Sequence, residues 1–135
     1  MKSDEELKKA FELYIDTEGI LHLDFLAFQE DIEDQNRIAE LVDAEGDAIF
    51  AKDTSKSYNC LVGLSRIDKF KPIPSKTQER YVNMLSKKQV RKVAFAGLGP
   101  FYRTLAYFMT KLSGKITKVG FFDSEKEALS WLKEE

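Results

Sequence analysis

The last third of the chain carries the pattern that most constrains the fold. Residues 93–96 are small and apolar, which is typical of a strand covered on both faces, and a glycine-containing turn follows at residues 97–100. The apolar side chains of residues 100–112 then recur at helical spacing, residues 116–122 predict another strand, and Ser124 begins a closing helix. Strands and helices in this alternation predict parallel strands with right-handed crossovers, and therefore an α/β domain.

The first half of the chain predicts a β-hairpin, a helix and a buried strand. Residues 11–15 and 21–25 alternate between apolar and polar side chains, and Gly19 can take the positive φ that the short loop between them needs. Helical periodicity runs over residues 30–44, and the apolar run at residues 47–51 is typical of a buried strand. The carboxylates that crowd the start of the helix indicate a solvated helix end and not a metal site.

Residues 54–74 are harder to interpret. A glycine and two prolines interrupt a weak strand-like alternation, so we expect a long, partly packed loop or insertion. Ser75 and Gln78 then have the spacing of a capping box and predict a helix.

Together these elements predict a single domain over residues 1–135, with a mixed five-stranded sheet flanked by about four helices. Their predicted order is ββαβ, loop, αβαβα. Residues 1–9 form either a short helix capped by Ser3 or a frayed terminus.

The charges are distributed unevenly along the chain. Residues 1–50 hold 15 acidic and 4 basic side chains, whereas residues 51–122 hold 15 basic and 3 acidic ones. This asymmetry indicates either an anion-binding face or acidic partner, or segments of opposite charge that lie side by side, and we favour the second. The basic region at residues 76–92 lacks the interleaved aromatic residues of a nucleic-acid platform, so we expect no nucleic-acid partner.

The scarcity of cysteine and histidine limits the chemistry. Cys60 is the single cysteine, which excludes an intramolecular disulfide and favours a reducing compartment. No apolar run is long enough to span a bilayer and the first residues are charged, so we expect a cytoplasmic protein. His22, the single histidine, has no Ser or Cys nearby in sequence. We therefore expect no metal, no cofactor and no enzymatic activity, unless the fold buries His22 with the early carboxylates.

The turn Gly97-Leu98-Gly99-Pro100 is the most suggestive local motif. A glycine turn between a strand and a helix presents backbone amides to an anion, and Arg103 in the next turn could add a charged fork. The motif is neither a dinucleotide fingerprint nor a P-loop. The alternative, which we favour, is that Gly97 and Gly99 serve a tight turn and Arg103 is a surface or capping residue.

The helix predicted over residues 100–112 has more apolar surface than one buried stripe uses. Tyr102 and Tyr107 lie outside its main stripe. Either the helix is covered on more than one side, which we favour, or it offers a contact patch to a partner or an apolar ligand.

Two stretches carry a resemblance to a known family. Residues 92–115, KVAFAGLGPFYRTLAYFMTKLSGK, and residues 120–134, GFFDSEKEALSWLKE, resemble the STAS-like proteins related to bacterial anti-sigma-factor antagonists. Their fold is similar to that of the CRAL-TRIO lipid-transfer domains. The resemblance implies a mixed sheet flanked by helices, no catalytic machinery, and a role in protein–protein regulation or ligand sensing.

The resemblance also singles out Ser75 as a possible phospho-switch analogue. In the anti-sigma-factor antagonists, a serine in a D-S-[ST]-G context is phosphorylated at the start of the helix after the third strand. Ser75 occupies the similar place but lies between Pro74 and Lys76, so the motif is absent. A plain helix cap is the interpretation we favour.

Two functional hypotheses follow. The first is a non-enzymatic regulatory domain that contacts a protein partner, or a second copy in a homodimer, through residues 97–100, 100–112 and 54–74. The alternative is a module that binds a small apolar or anionic ligand, lipid-like or phosphate-bearing, between that helix and that loop. Gly97, Gly99, Pro100, Tyr102, Arg103 and Tyr107 are the candidate binding residues.

Overall fold

The computed structural model describes residues 2–67, 73–97 and 118–134. The helices in these residues are α1 (Asp4–Leu7), α2 (Ile32–Lys52), α3 (Ser75–Leu85) and α4 (Glu125–Lys133), and a short 3₁₀ turn, Lys8–Ala10, follows α1. The strands are β1 (Phe11–Ile15), β2 (Leu21–Phe25), β3 (Tyr58–Gly63), β4 (Val90–Ala96) and β5 (Lys118–Phe122).

The strands form one mixed sheet in the order β1-β2-β3-β4-β5. β1 is antiparallel to β2, and β2 to β5 run parallel to one another. Helices cover both faces, so the predicted α/β fold with a mixed five-stranded sheet is confirmed. None of the helices in the described residues is long and apolar enough to cross a membrane.

The two faces of the sheet are packed differently. On the α2–α3 face, large apolar side chains of alternate strand positions, such as Leu23, Val62 and Phe95, form the main core with these two helices. On the α4 face, small residues such as Ala94 and Ala96 lie beneath Ala128 and Leu132 of α4. Small side chains let a helix approach a sheet closely, so α4 packs without a thick apolar layer.

The hairpin forms as predicted. Phe11 pairs with Phe25 and Ile15 with Leu21, and Gly19 takes φ +83° in the loop. The Asp16 carboxylate accepts hydrogen bonds from the backbone N–H groups of Glu18 and Ile20 and so fixes the loop conformation.

The strand predicted at residues 47–51 is wrong, because these residues belong to α2. Asp31 caps α2, and its carboxylate accepts from the N–H groups of Glu33 and Asp34. The helical period continues through Gly46 to Phe50, which packs against Tyr58 with ring centroids 5.8 Å apart. A short apolar run cannot by itself distinguish a strand from the last turns of a helix.

The third strand lies instead inside the segment predicted as a loop. β3 occupies residues 58–63 and is the middle strand of the sheet, so the prediction of a long loop over residues 54–74 is wrong for these residues. Tyr58, Cys60 and Val62 face the main core while Leu61 faces α4. Gly63 does not interrupt the strand but is its last residue.

Both termini of the described chain are anchored. Ser3 caps α1 and accepts from the N–H of Glu6, and Leu7 is fully buried, so the helix prediction for residues 1–9 is the correct alternative. At the other end, Ser124 caps α4, and the buried Lys92 ammonium donates to the carbonyls of Trp131 and Glu134.

Opposite charges lie side by side on α2 and on α3 with the turn that follows it, as predicted. Arg80 contacts Asp43 at 3.3 Å, and Lys87 contacts Asp43 at 3.4 Å and also Asp47. Part of the charge asymmetry of the sequence is therefore neutralised between two packed helices.

Candidate functional site

The described polar residues that are hardest to explain by packing lie near the carboxyl ends of the parallel strands. Asp24 of β2 pairs in register with Gly63 of β3, and Gly63 pairs with Ala96 of β4. We name this place the carboxyl-end site and define it by Tyr14, His22, Asp24, Gly63 and Glu125.

Asp24 forms the floor of the site. Only 5% of the residue is exposed. Its Oδ2 atom has a long contact of 3.5 Å with the Tyr14 hydroxyl, and its Oδ1 atom is buried without a hydrogen-bond partner. Burial raises the pKa of the Asp24 carboxyl, the negative charge of Glu125 raises it further, and the charges of His22 and Arg66 partly oppose this.

Gly63 provides the space in which two carboxylates approach each other. A Cβ atom at this position would stand 2.3 Å from Oδ1 of Asp24 and 3.3 Å from Oε1 of Glu125. The first distance is far below van der Waals contact, so only glycine fits without moving Asp24. Glu125 is the first residue of α4 and is exposed, so it reaches the site from the rim.

His22 and Tyr14 form the wall of the site beside Asp24. Their rings stack with centroids 4.7 Å apart and planes only 6° from parallel. His22 Nε2 lies 2.7 Å from Oδ2 of Asp16, so this nitrogen donates to the carboxylate. The other ring nitrogen, Nδ1, is buried without a partner, and the residue is 6% exposed. That nitrogen accepts in a neutral ring and donates in a protonated ring, so Oδ1 of Asp24 is the acceptor on which the chemistry of the site depends.

Asp16 has a structural explanation that the rest of the site lacks. Burial raises the pKa of its carboxyl, but the hydrogen bonds from His22 and from the N–H groups of Ile20 and Glu18 outweigh this, and the pKa is lowered overall. Asp16 is therefore an ionised anchor that holds both the hairpin loop and the His22 ring in place.

The chemistry available at the site is acceptance of hydrogen bonds and of protons. The two carboxylates bind donors, and burial raises the pKa of the Asp24 carboxyl, so this group keeps its proton to a higher pH than an exposed carboxyl does. Within residues 2–67, 73–97 and 118–134, no group of three His, Cys, Asp or Glu side chains is arranged to hold a metal ion.

Of the six binding residues predicted from sequence, the described chain contains Gly97. It takes φ +88°, donates its N–H to the carbonyl of Phe122 at 3.0 Å, and a Cβ here would stand 2.6 Å from the backbone nitrogen of Ser65. A tight turn against a neighbouring backbone explains this glycine. The other five, Gly99, Pro100, Tyr102, Arg103 and Tyr107, lie outside the described residues.

Ser75 is the exposed first residue of α3, but the capping box predicted for it is wrong. Pro74 is the N-cap, and no side chain caps the helix. The Gln78 side chain instead donates to the carbonyl of Ile73 at 2.7 Å. The phospho-switch analogue at Ser75 stays a prediction.

Sequence reasoning missed Asp24, Tyr14, Gly63 and Glu125. The signal was the spacing of His22 and Asp24, two polar residues on one face of β2. In a two-stranded hairpin that face would meet water, but β2 is an interior strand and all five of its residues are buried. The placement of β3 beside β2, which the sequence pattern did not predict, is what buries them.

Comparison with known proteins adds no relative from which a role could be transferred. No protein-family model, no curated protein and no solved structure matches the chain.

Proposed function

We propose that the chain is a non-enzymatic binding module that holds a small ligand at the carboxyl-end site. The observation that carries this proposal is the buried Oδ1 atom of Asp24, which has no hydrogen-bond partner. Leaving a buried polar atom unsatisfied costs about 1–3 kcal/mol, and more when the group is charged. A ligand that donates to this oxygen recovers that free energy on binding.

The residues around Asp24 connect it to the solvent. Because Gly63 has no side chain, Oδ1 of Asp24 and Oε1 of Glu125 both lie next to it. Tyr14 is 42% exposed and Glu125 is exposed, so the rim of the site meets solvent while its floor is buried. Ligand sites commonly combine a buried interior, in which a few polar groups orient the ligand, with an opening to solvent.

A second candidate function is proton transfer on a bound substrate. The raised pKa of Asp24 and the 2.7 Å contact between Asp16 and His22 favour it, because buried acid–base groups of this kind cluster at active sites. The two functions differ in the fate of the ligand. A binding module releases the molecule that it took up, whereas an enzyme releases a changed one.

The hypothesis of a regulatory contact with a protein partner or a second copy stays a prediction, as does the resemblance to STAS-like proteins. Five of the six residues proposed for that contact lie outside the described residues, and the described ones favour a ligand site.

Native mass spectrometry of protein purified gently from cell extract tests the proposal. We expect wild-type protein to carry an added mass that Asp24→Asn loses. Asp43→Asn is the matched control, because it makes the same chemical change in an ion pair between α2 and α3 and should keep the added mass. Retention of the added mass by Asp24→Asn would refute the proposal, as would a bare wild-type mass with no thermal shift across a ligand panel.

A further inference from the structure

We infer that the carboxyl-end site takes the positively charged nitrogen group of a small organic molecule, an ammonium or a guanidinium, which donates to Asp24 and Glu125. This inference rests on the proposed function, because it names the chemical class of the ligand at that same site.

The unsatisfied carboxylate oxygen of the site needs a donor. Oδ1 of Asp24 is buried and has no hydrogen-bond partner. Glu125 adds a second carboxylate 3.3 Å from the empty Cβ position of Gly63. An ionised carboxylate only accepts hydrogen bonds, so a ligand that fits Asp24 and Glu125 brings N–H or O–H groups.

The charges around the site select a cation among the possible donors. The charged and titratable groups that act on Asp24 are Glu12 and Tyr14 on β1, His22 on β2, Arg66 after β3 and Glu125 on α4. The charges of neighbouring carboxylates raise the pKa of two groups, in addition to the larger effect of burial. The pKa of Asp24 is raised by burial and then by Glu125, and the pKa of Tyr14 is raised by burial and then by Asp24, Glu125 and Glu12. This field attracts a positive group and repels a phosphate or carboxylate.

The chain's own arginine near the site does not satisfy Asp24. Arg66 acts on the Asp24 carboxyl through its charge, but it is exposed and forms no hydrogen bond with it. The site thus favours positive charge and still leaves Oδ1 open to an external donor.

An organic cation fits better than a metal ion. The site brings together two carboxylates, and no group of three His, Cys, Asp or Glu side chains in the described chain is arranged to hold a metal ion. The stacked rings of Tyr14 and His22 lie beside the carboxylates, and an aromatic face attracts an organic cation and also contacts its apolar carbon atoms.

Three probes with the same carbon chain and different charge separate these classes: n-butylammonium, n-butanol and n-butyl phosphate. Each is titrated into ¹⁵N-labelled full-length protein at about pH 8, and the amide shifts of Asp24, Gly63 and Glu125 report on the site. We expect n-butylammonium to bind about tenfold more tightly than n-butanol, since charge-assisted hydrogen bonds are the stronger ones. Asp24→Asn should remove that advantage, and Asp43→Asn should keep it.

The binding should also depend on pH in a defined direction. A proton on Asp24 competes with the cation, and the free protein holds that proton more tightly than an exposed carboxyl does. We therefore expect the affinity for n-butylammonium to fall as the pH is lowered from about 8 to about 4, while that for n-butanol changes little.

The outcomes separate this inference from the proposed function. Equal or tighter binding of n-butanol or n-butyl phosphate at the same amides overturns the cation class but leaves a ligand site. If no probe binds, the molecule released from wild-type protein decides: an amine or guanidine supports the inference, and any other class overturns it. If no probe binds and wild-type protein carries no added mass, both proposals fail.

Discussion

Two neighbouring residues of β2 lie on opposite faces of the central sheet and have very different surroundings. Leu23 of β2 points into the α2–α3 face, is 1% exposed and is surrounded by apolar side chains. The next residue, Asp24, points to the α4 face, is also buried and has an oxygen without a partner. One face is packed for stability, whereas the other keeps a polar group that stability alone would not select.

This difference singles out an acidic group. Gln35, Asn59 and Gln78 also have a buried oxygen without a partner, but each is a neutral amide whose nitrogen donates to a backbone carbonyl. The acidic side chain of Asp24 has only the 3.5 Å contact with the Tyr14 hydroxyl, and packing does not explain its burial. Strained or unsatisfied groups of this kind gather at functional sites.

The largest effect is expected on the α2–α3 face. Leu23→Ala should lower the free energy of unfolding by about 3 kcal/mol, because it removes buried methyl groups and leaves a cavity in the main core. Urea denaturation measures this. A loss below about 1 kcal/mol would show that this face is not the tightly packed one.

The second effect tests the close approach at Gly63. Gly63→Ala should lower the free energy of unfolding by about 2 kcal/mol, because the added Cβ would stand 2.3 Å from Oδ1 of Asp24. Most of this cost should vanish in the double variant Gly63→Ala/Asp24→Ala, compared with Asp24→Ala alone. Gly46→Ala is the control. Its Cβ would meet the Met84 sulfur at 3.8 Å, so it should stabilise α2 by about 0.5–1 kcal/mol.

A smaller loss is expected where β4 holds α4 on its face. Lys92→Met removes the ammonium that donates to the carbonyls of Trp131 and Glu134 and lies 5.0 Å from the Trp131 ring centroid. We expect the free energy of unfolding, measured by urea denaturation, to fall by about 1.5 kcal/mol. The control Lys126→Met, at an exposed position, should lower it by less than about 0.5 kcal/mol. Equal losses for the two variants would contradict a capping role for Lys92.

The smallest effect is expected for the ion pairs between α2 and α3. Arg80→Ala breaks a 3.3 Å contact between Arg80 and Asp43. The Arg80 side chain is 42% exposed. Exposed pairs contribute little, so the free energy of unfolding should change by less than about 0.5 kcal/mol, and added salt should shrink the difference. A loss above about 1 kcal/mol would show that charge pairing is a main source of stability on this side of the sheet.

The parts of the fold that sequence predicted are those in which local chemistry and periodicity agree. Gly19 and the alternation around it predicted the hairpin, and Ser3 and Ser124 predicted two helix starts, because these signals act over a few residues. The errors occurred where two local patterns compete. Residues 47–51 are apolar enough for a strand, yet the helical period of α2 continues through them.

The carboxyl-end site could not be predicted because it is assembled from distant parts of the chain. Tyr14, Asp24, Gly63 and Glu125 come from three strands and one helix, and only the order of the strands brings them together. The sequence pattern predicts a loop where β3 lies, and so omits the strand that buries Asp24. The single histidine, His22, is evident in the sequence, but its burial also depends on β3.

Unfolding of wild-type protein and Asp24→Asn, compared between about pH 8 and about pH 4, tests the central claim most directly. Folding raises the pKa of Asp24 above its unfolded value of 3.8, so the folded state binds the proton more tightly than the unfolded state does. The free energy of unfolding therefore decreases as the pH rises through the folded pKa of this carboxyl group. We predict that Asp24→Asn is more stable than wild type by about 1 kcal/mol at the higher pH and that the difference closes toward the lower pH. A variant that is less stable than wild type at the higher pH would contradict the account, because it would show that the fold itself uses the Asp24 carboxylate.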